Sequence, residues 1–221
     1  MSLSEKTVRA VVTALNQEFD NGQVNSILQA LYAFQATSPP LMASSPNFNF
    51  YMPGLYYDAS YMGNLTSPSY TGVANALDLV PFFCTQDLTV NEFAIGVTTG
   101  VGGTNARVVI YEAGIDSRPD RKVYESADLS TATSATNPTV AASFTFEANK
   151  VYWIGTHSSG TPTLRGVRDY AIMPLGFSTV GATGNIMLRR SVAYGAAPAS
   201  FNFTAADLAT SVPPSVRFKV A

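Results

Sequence analysis

The sequence predicts a mainly β chain: an antiparallel, jelly-roll-like β-sandwich with a short α-helical anchor at its N-terminus. Three observations carry that expectation. From about residue 76 onward the apolar residues recur with a period of two. Gly, Pro and Asn clusters punctuate those runs at short intervals. No helical period of useful length falls between them, and strands without crossover helices pair antiparallel.

The chain organisation follows from the periods. Val8, Val11, Val12, Leu15 and Phe19 share one helical face, with Ser4 as the N-cap and Asn21-Gly22 as the stop. Val24, Ile27, Leu28, Leu31 and Phe34 repeat the spacing until Pro39-Pro40 ends it. A helix of this length is marginal in water. The stripe must therefore dock on something, and residues 1–40 read as an anchor and oligomerisation segment whose contacts are Val8, Val11, Leu15, Phe19, Ile27, Leu28 and Leu31. Residues 41–75 read as an aromatic connector: no charged residue occurs between Gln23 and Tyr57, while 48–57 is rich in Phe and Tyr. So apolar a stretch either packs across its own domain or forms a subunit interface.

Residues 76–221 read as the sandwich. Phe93, Ile95 and Val97 alternate with smaller residues, but Leu88 and Val90 have the opposite parity, which predicts a bulge near Asn91-Glu92. Ala106, Val108 and Ile110 form a further run. Val140, Ala142, Phe144 and Phe146 form the cleanest alternation. Residues 151–156 (VYWIGT) are apolar on both faces and read as a central strand containing Trp153 as core. Val216, Phe218 and Val220 close the chain. Weaker runs near 77–83, 122–129, 163–167 and 186–192 bring the expectation to about eight or nine strands.

Composition removes several functions. Thirteen Lys+Arg against 15 Asp+Glu leave a net charge of −2, and nucleic acid calls for a basic surface. The single cysteine, Cys84, offers no internal disulfide and reads as a small buried hydrophobe. Glu5, Lys6 and Arg9 interrupt the place of a signal h-region, and no apolar run approaches the length of a membrane span, so an intracellular origin without membrane insertion is expected. No cofactor motif is found: residues 100–103 (GVGG) lack the Lys-Ser/Thr of a phosphate loop and read as a hairpin turn.

The candidate chemistry is sparse. The single histidine, His157, stands at a strand end before a Ser-Ser-Gly turn and reads as a surface-loop residue or a polar ligand contact, since no nucleophile motif accompanies it. Asp116, Asp120, Glu125 and Asp128 alternate with Arg118, Arg121 and Lys122, as a charge-balanced loop would, with a calcium site as the sharper alternative. Sugars stack on exposed rings beside polar side chains. That chemistry selects Tyr57, Asp58, Tyr61, His157, Arg168 and Tyr170 as a candidate carbohydrate-binding set, with Tyr56, Tyr70 and Arg165 nearby.

Residues 75–83 (NALDLVPFF), 88–99 (LTVNEFAIGVTT), 105–111 (NARVVIY), 150–154 (KVYWI), 161–165 (TPTLR) and 215–221 (SVRFKVA) occur in that order. Together they resemble a β-sandwich module of tailed-phage and prophage structural proteins, found in tail fibres, head fibres, spikes and gene transfer agents. The resemblance covers about two-thirds of the chain and rests on core and turn positions. It implies a non-enzymatic virion component, assembled in the host cytoplasm as a homo-oligomer. Its N-terminal part would hold to capsid, portal, neck or tail proteins, and its sandwich would face host-surface polysaccharide or decorate the capsid. A stand-alone, lectin-like carbohydrate-binding protein is the alternative, and a glycan-cleaving enzyme using loop carboxylates is a third reading.

Overall fold

The computed structural model describes residues 51–59, 69–167 and 187–221. The helical stripe of the first 40 residues, with all seven of its anchor positions, lies outside them. The described part belongs to one compact unit, Tyr51–Ala221. It is mainly β, and all its named strand pairings are antiparallel.

The smaller main sheet has the order β1 (Tyr56–Asp58), β14 (Val216–Val220), β4 (Leu88–Ile95), β9 (Thr139–Phe146). The larger runs β13 (Leu208–Ala209), β12 (Met187–Ser191), β3 (Ala76–Cys84), β10 (Lys150–Ser158), β6 (Asn105–Ala113), β7 (Pro119–Glu125), and β8 (Leu129–Ser130) also pairs with β6. A third, short sheet joins β2 (Ser69–Thr71), β11 (Thr163–Arg165) and β5 (Val97–Thr99). The pairings β6 with β7, β4 with β9 and β3 with β10 nest inside one another along the chain.

Alternation decides which side each residue faces. On β3, Val80, Phe82 and Cys84 enter the core between the two main sheets. Leu77 and Leu79 face the other way, into a second apolar cluster. Between the sheets, Phe82 packs on Phe146 at 4.8 Å and on Phe218 at 5.6 Å, and Phe146 meets the Tyr152 ring edge-on at 5.0 Å. β10 is central, with β3 on one side and β6 on the other, and Trp153 is buried on its outer face, its indole N–H donating to the Ser117 carbonyl at 3.0 Å. Gly155 stands in the same strand, where a Cβ would lie 1.7 Å from the Asp78 carbonyl oxygen. Only glycine fits there.

The bulge lies where the parity of β4 changes. Its ladder register shifts between Val90 and Glu92 on the β9 side, and opposite Lys219 and Val220 on the β14 side. Leu88 and Val90, then Phe93 and Ile95, thus all reach the core.

Two features differ from the periodicity reading. The run through Phe93, Ile95 and Val97 is two strands. Gly96 separates β4 from β5, its carbonyl accepts the Arg165 N–H at 2.8 Å, and the Arg165 side chain fills the space a Cβ would need. Two pieces of the stretch read as a connector are strands of this fold: Tyr56–Asp58 pairs with β14 and Ser69–Thr71 with β11.

The outer face of the larger sheet is covered by residues 192–204, which cross it as a strap. Ala197, Phe201 and Phe203 close over Leu77, Leu79, Val109, Tyr111, Trp153 and Leu188. Polar contacts hold the strap along its length: the Phe201 N–H donates to the Asp120 carbonyl at 2.7 Å, the Lys122 N–H to the Ala199 carbonyl at 2.8 Å, and the Tyr111 hydroxyl to the Pro198 carbonyl at 2.8 Å. A 3-10 turn at Ala205–Asp207 then leads into β13.

Candidate functional site

Of the candidate carbohydrate set, Tyr57, Asp58 and His157 are among the described residues. Tyr61, Arg168 and Tyr170 lie outside the described residues. Tyr57 is half-buried: its ring lies 4.9 Å from Tyr51, edge-on, and 6.3 Å from Phe218, while its hydroxyl accepts the Met52 N–H at 2.7 Å. It therefore packs the entry of β1 onto the core. Asp58 accepts a hydrogen bond from the Ser215 hydroxyl and ties the same strand to β14.

His157 requires a correction. The Ser-Ser-Gly turn after it suggests an open loop end, yet β10 continues through Ser158 and the imidazole is fully buried. Its Nε2 is 3.0 Å from the Val192 carbonyl, and the Tyr194 ring of the strap covers it at 5.2 Å between centroids. Alternation sends His157 outward, but the strap makes that outer face interior.

Tyr70, an aromatic of the loop-rich stretch, is likewise buried. It belongs to a group that reading the sequence missed. Asp78 has no exposed surface. Its register partners are Arg189 on β12 and Thr156 on β10. The Arg189 guanidinium grips the carboxylate with both prongs, Nε to Oδ1 at 2.8 Å and Nη2 to Oδ2 at 3.1 Å, and the Tyr70 hydroxyl donates to Oδ2. Burial pushes the Asp78 carboxyl above the usual carboxylate range, against the opposing pull of Arg189 and Tyr70. Burial, then the neighbouring Asp78 charge, also drives the Tyr70 phenol upward. The one available signal was an Asp inside the otherwise apolar run of 76–84, on the parity that faces the core. The bidentate grip consumes the carboxylate as a structural clasp between β3, β12 and the short sheet.

The acidic run at 116–128 forms the charge-balanced network that its alternating signs suggest. Glu125 receives Arg107 at 3.1 Å, Lys122 at 2.6 Å and the Ala197 N–H at 3.1 Å. Arg107 also reaches Asp128 at 2.5 Å, and Asp128 accepts the Tyr194 hydroxyl at 2.9 Å. Asp116 lies 3.6 Å from Arg118. On the same face Arg190 pairs with Asp207 at 2.5 Å and stacks on Phe201 at 3.9 Å. These ions staple the strap to the sheet. Cys84 is buried as expected, and burial pushes its thiol up to about 11.

A shallow depression of about 330 Å³ lies beside the 114–118 turn, lined by Glu112, Ile115, Ser117, Asn149, Lys150 and Val151 among others. Lys150 of this lining bridges Glu112 at 2.7 Å and Glu147 at 2.9 Å. Among the described residues no group of three His, Cys, Asp or Glu side chains could hold a metal ion, and no helix is long and apolar enough to cross a membrane. No protein-family model and no curated protein matches the chain.

Proposed function

We propose that this chain is a non-enzymatic structural protein of a phage virion, a fibre, spike or capsid decoration subunit. Residues 1–40 anchor it to capsid, portal, neck or tail proteins and to further copies of itself, and the β-sandwich faces outward toward host-surface polysaccharide. The nested pairing of β6 with β7, β4 with β9 and β3 with β10 supports the jelly-roll form of that sandwich, since a long hairpin rolled onto two sheets yields such nesting.

The observation that carries the reading is where the charge goes. Three buried or half-buried carboxylates, Asp78, Glu125 and Asp207, are each gripped by Arg or Lys and cross-link strands or strap. Catalytic carboxylates instead face a cleft with one acid held ready to donate its proton. Here the ions lock a shape.

Light scattering on the full chain at low micromolar concentration tests the proposal. A homo-oligomer is expected, and removal of residues 1–40 returns it to a monomer. A full chain that stays monomeric and joins no larger particle overturns it.

A further inference from the structure

We propose that the strap over the larger sheet is a pH-operated latch, closed when His157 is neutral and released when it is protonated. The chain holds one histidine and one tryptophan, and both lie beneath this strap. His157 packs under Tyr194, and Trp153 belongs to the apolar cluster that Ala197 and Phe201 cover.

The geometry suits only the neutral ring. The imidazole is wholly buried, and its Nε2, as the donor, satisfies the Val192 carbonyl at 3.0 Å. The ring's Nδ1 is buried and has no hydrogen-bond partner among the described residues. A lone pair tolerates that position better than an N–H does, because a buried donor without an acceptor costs its full desolvation. A second proton would also bring a charge next to an existing one. Arg107 stands opposite His157 in the β6 ladder, its guanidinium 5.3 Å from the Tyr194 ring centroid.

The surrounding charges do not compensate. On the outer face of β3 the register neighbour of His157 is Leu77, and beyond it Arg190 of β12 adds a further cation, paired with Asp207. The nearby anions, Glu125 and Asp128, already receive Arg107, with Lys122 on Glu125 and Tyr194 on Asp128. Asp78 stands on the opposite face, clasped by Arg189. Protonation thus favours any state in which the ring reaches water. The element that must lift is the strap, fixed near the ring by the Val192 N–H to the Asn75 carbonyl at 2.8 Å and the Tyr194 N–H to Asn75 Oδ1 at 3.0 Å. Lifting it uncovers Leu77, Val109 and Trp153.

Histidine is the side chain that ordinarily changes charge between about pH 5 and 8, so acidification of the full chain from about pH 7.5 to about pH 5 is the test. Trp153 emission should move to longer wavelength, and the exchange protection of the Val192, Tyr194 and Ala197 amides should fall about tenfold. Both changes should vanish in His157→Gln, which keeps a donor for Val192 but cannot ionise. A wild-type chain that shows no change, or a variant that keeps the change, overturns the latch. Should the variant fail to fold, the single imidazole resonance of the wild type decides: its titration midpoint must coincide with that of the Trp153 emission, and separate midpoints overturn the proposal.

Discussion

At the scale of the residue, the fold rests on a few positions with no freedom. Gly155 lies where the β3 backbone touches β10, and the obstacle to a Cβ is the Asp78 carbonyl, which cannot rotate away. Gly155→Ala should lower stability by more than about 3 kcal/mol, beyond the ordinary overpacking range, seen as a fall in the urea midpoint or as loss of soluble protein. Asp78 is equally constrained. Arg189→Met would leave a buried carboxylate with the Tyr70 hydroxyl and no cation. The cost should be about 3–5 kcal/mol by urea titration. A further Asp78→Asn change should recover part of that loss, which separates the buried charge from lost packing.

At the scale of the element, the strap determines most of what periodicity could not reveal. Residues 192–204 carry no alternation, yet they convert an exposed sheet face into a second core. Phe201 supplies the main apolar contact, edge-on to Tyr111 at 5.5 Å and stacked by Arg190. Phe201→Ala should cost about 3–5 kcal/mol and raise Trp153 exposure to a soluble quencher. The main strand runs were legible in the sequence, because period-two alternation follows directly from one face meeting a core. The bulge at Asn91 was legible for the same reason: the parity of apolar residues changes across it. The split at Gly96 was hidden, since Val97 keeps the parity of Ile95 while changing its sheet partner to Leu164. His157 was misplaced as a surface group because what buries it is distant in sequence, Val192 and Tyr194 of the strap.

At the scale of the whole molecule, ion pairs set the response to acid. Lys150 holds Glu112, and Arg107 holds Asp128, below their usual carboxylate ranges. Glu125 and Asp207 are lowered as well: burial opposes this, but Lys122, the Ala197 N–H and Arg107 outweigh it for Glu125, as Arg190 and Thr204 do for Asp207. A carboxylate lowered in the folded state contributes stability above its unfolded value and loses it as pH falls through the folded one. The protein should therefore lose stability progressively below about pH 4, measured as the urea midpoint against pH. Asp78 acts in the opposite sense, because its raised carboxyl favours the folded state until pH climbs through its folded value. Below its unfolded value Asp78 is protonated in both states, so the lowered groups set the slope there.

The amino-acid sequence by itself determined the mainly β, antiparallel character, the main strand runs and their core parity, because each depends on neighbours along the chain and on one repeating distance. It also indicated that the acidic run is balanced, from the cations interleaved with it, although Asp128 takes its cation, Arg107, from strand β6. Only the tertiary structure decided which polar residues are interior. Burial of Asp78 and His157 comes with partners that stand 111 and 35 residues away, and no local pattern encodes a contact made across that much chain.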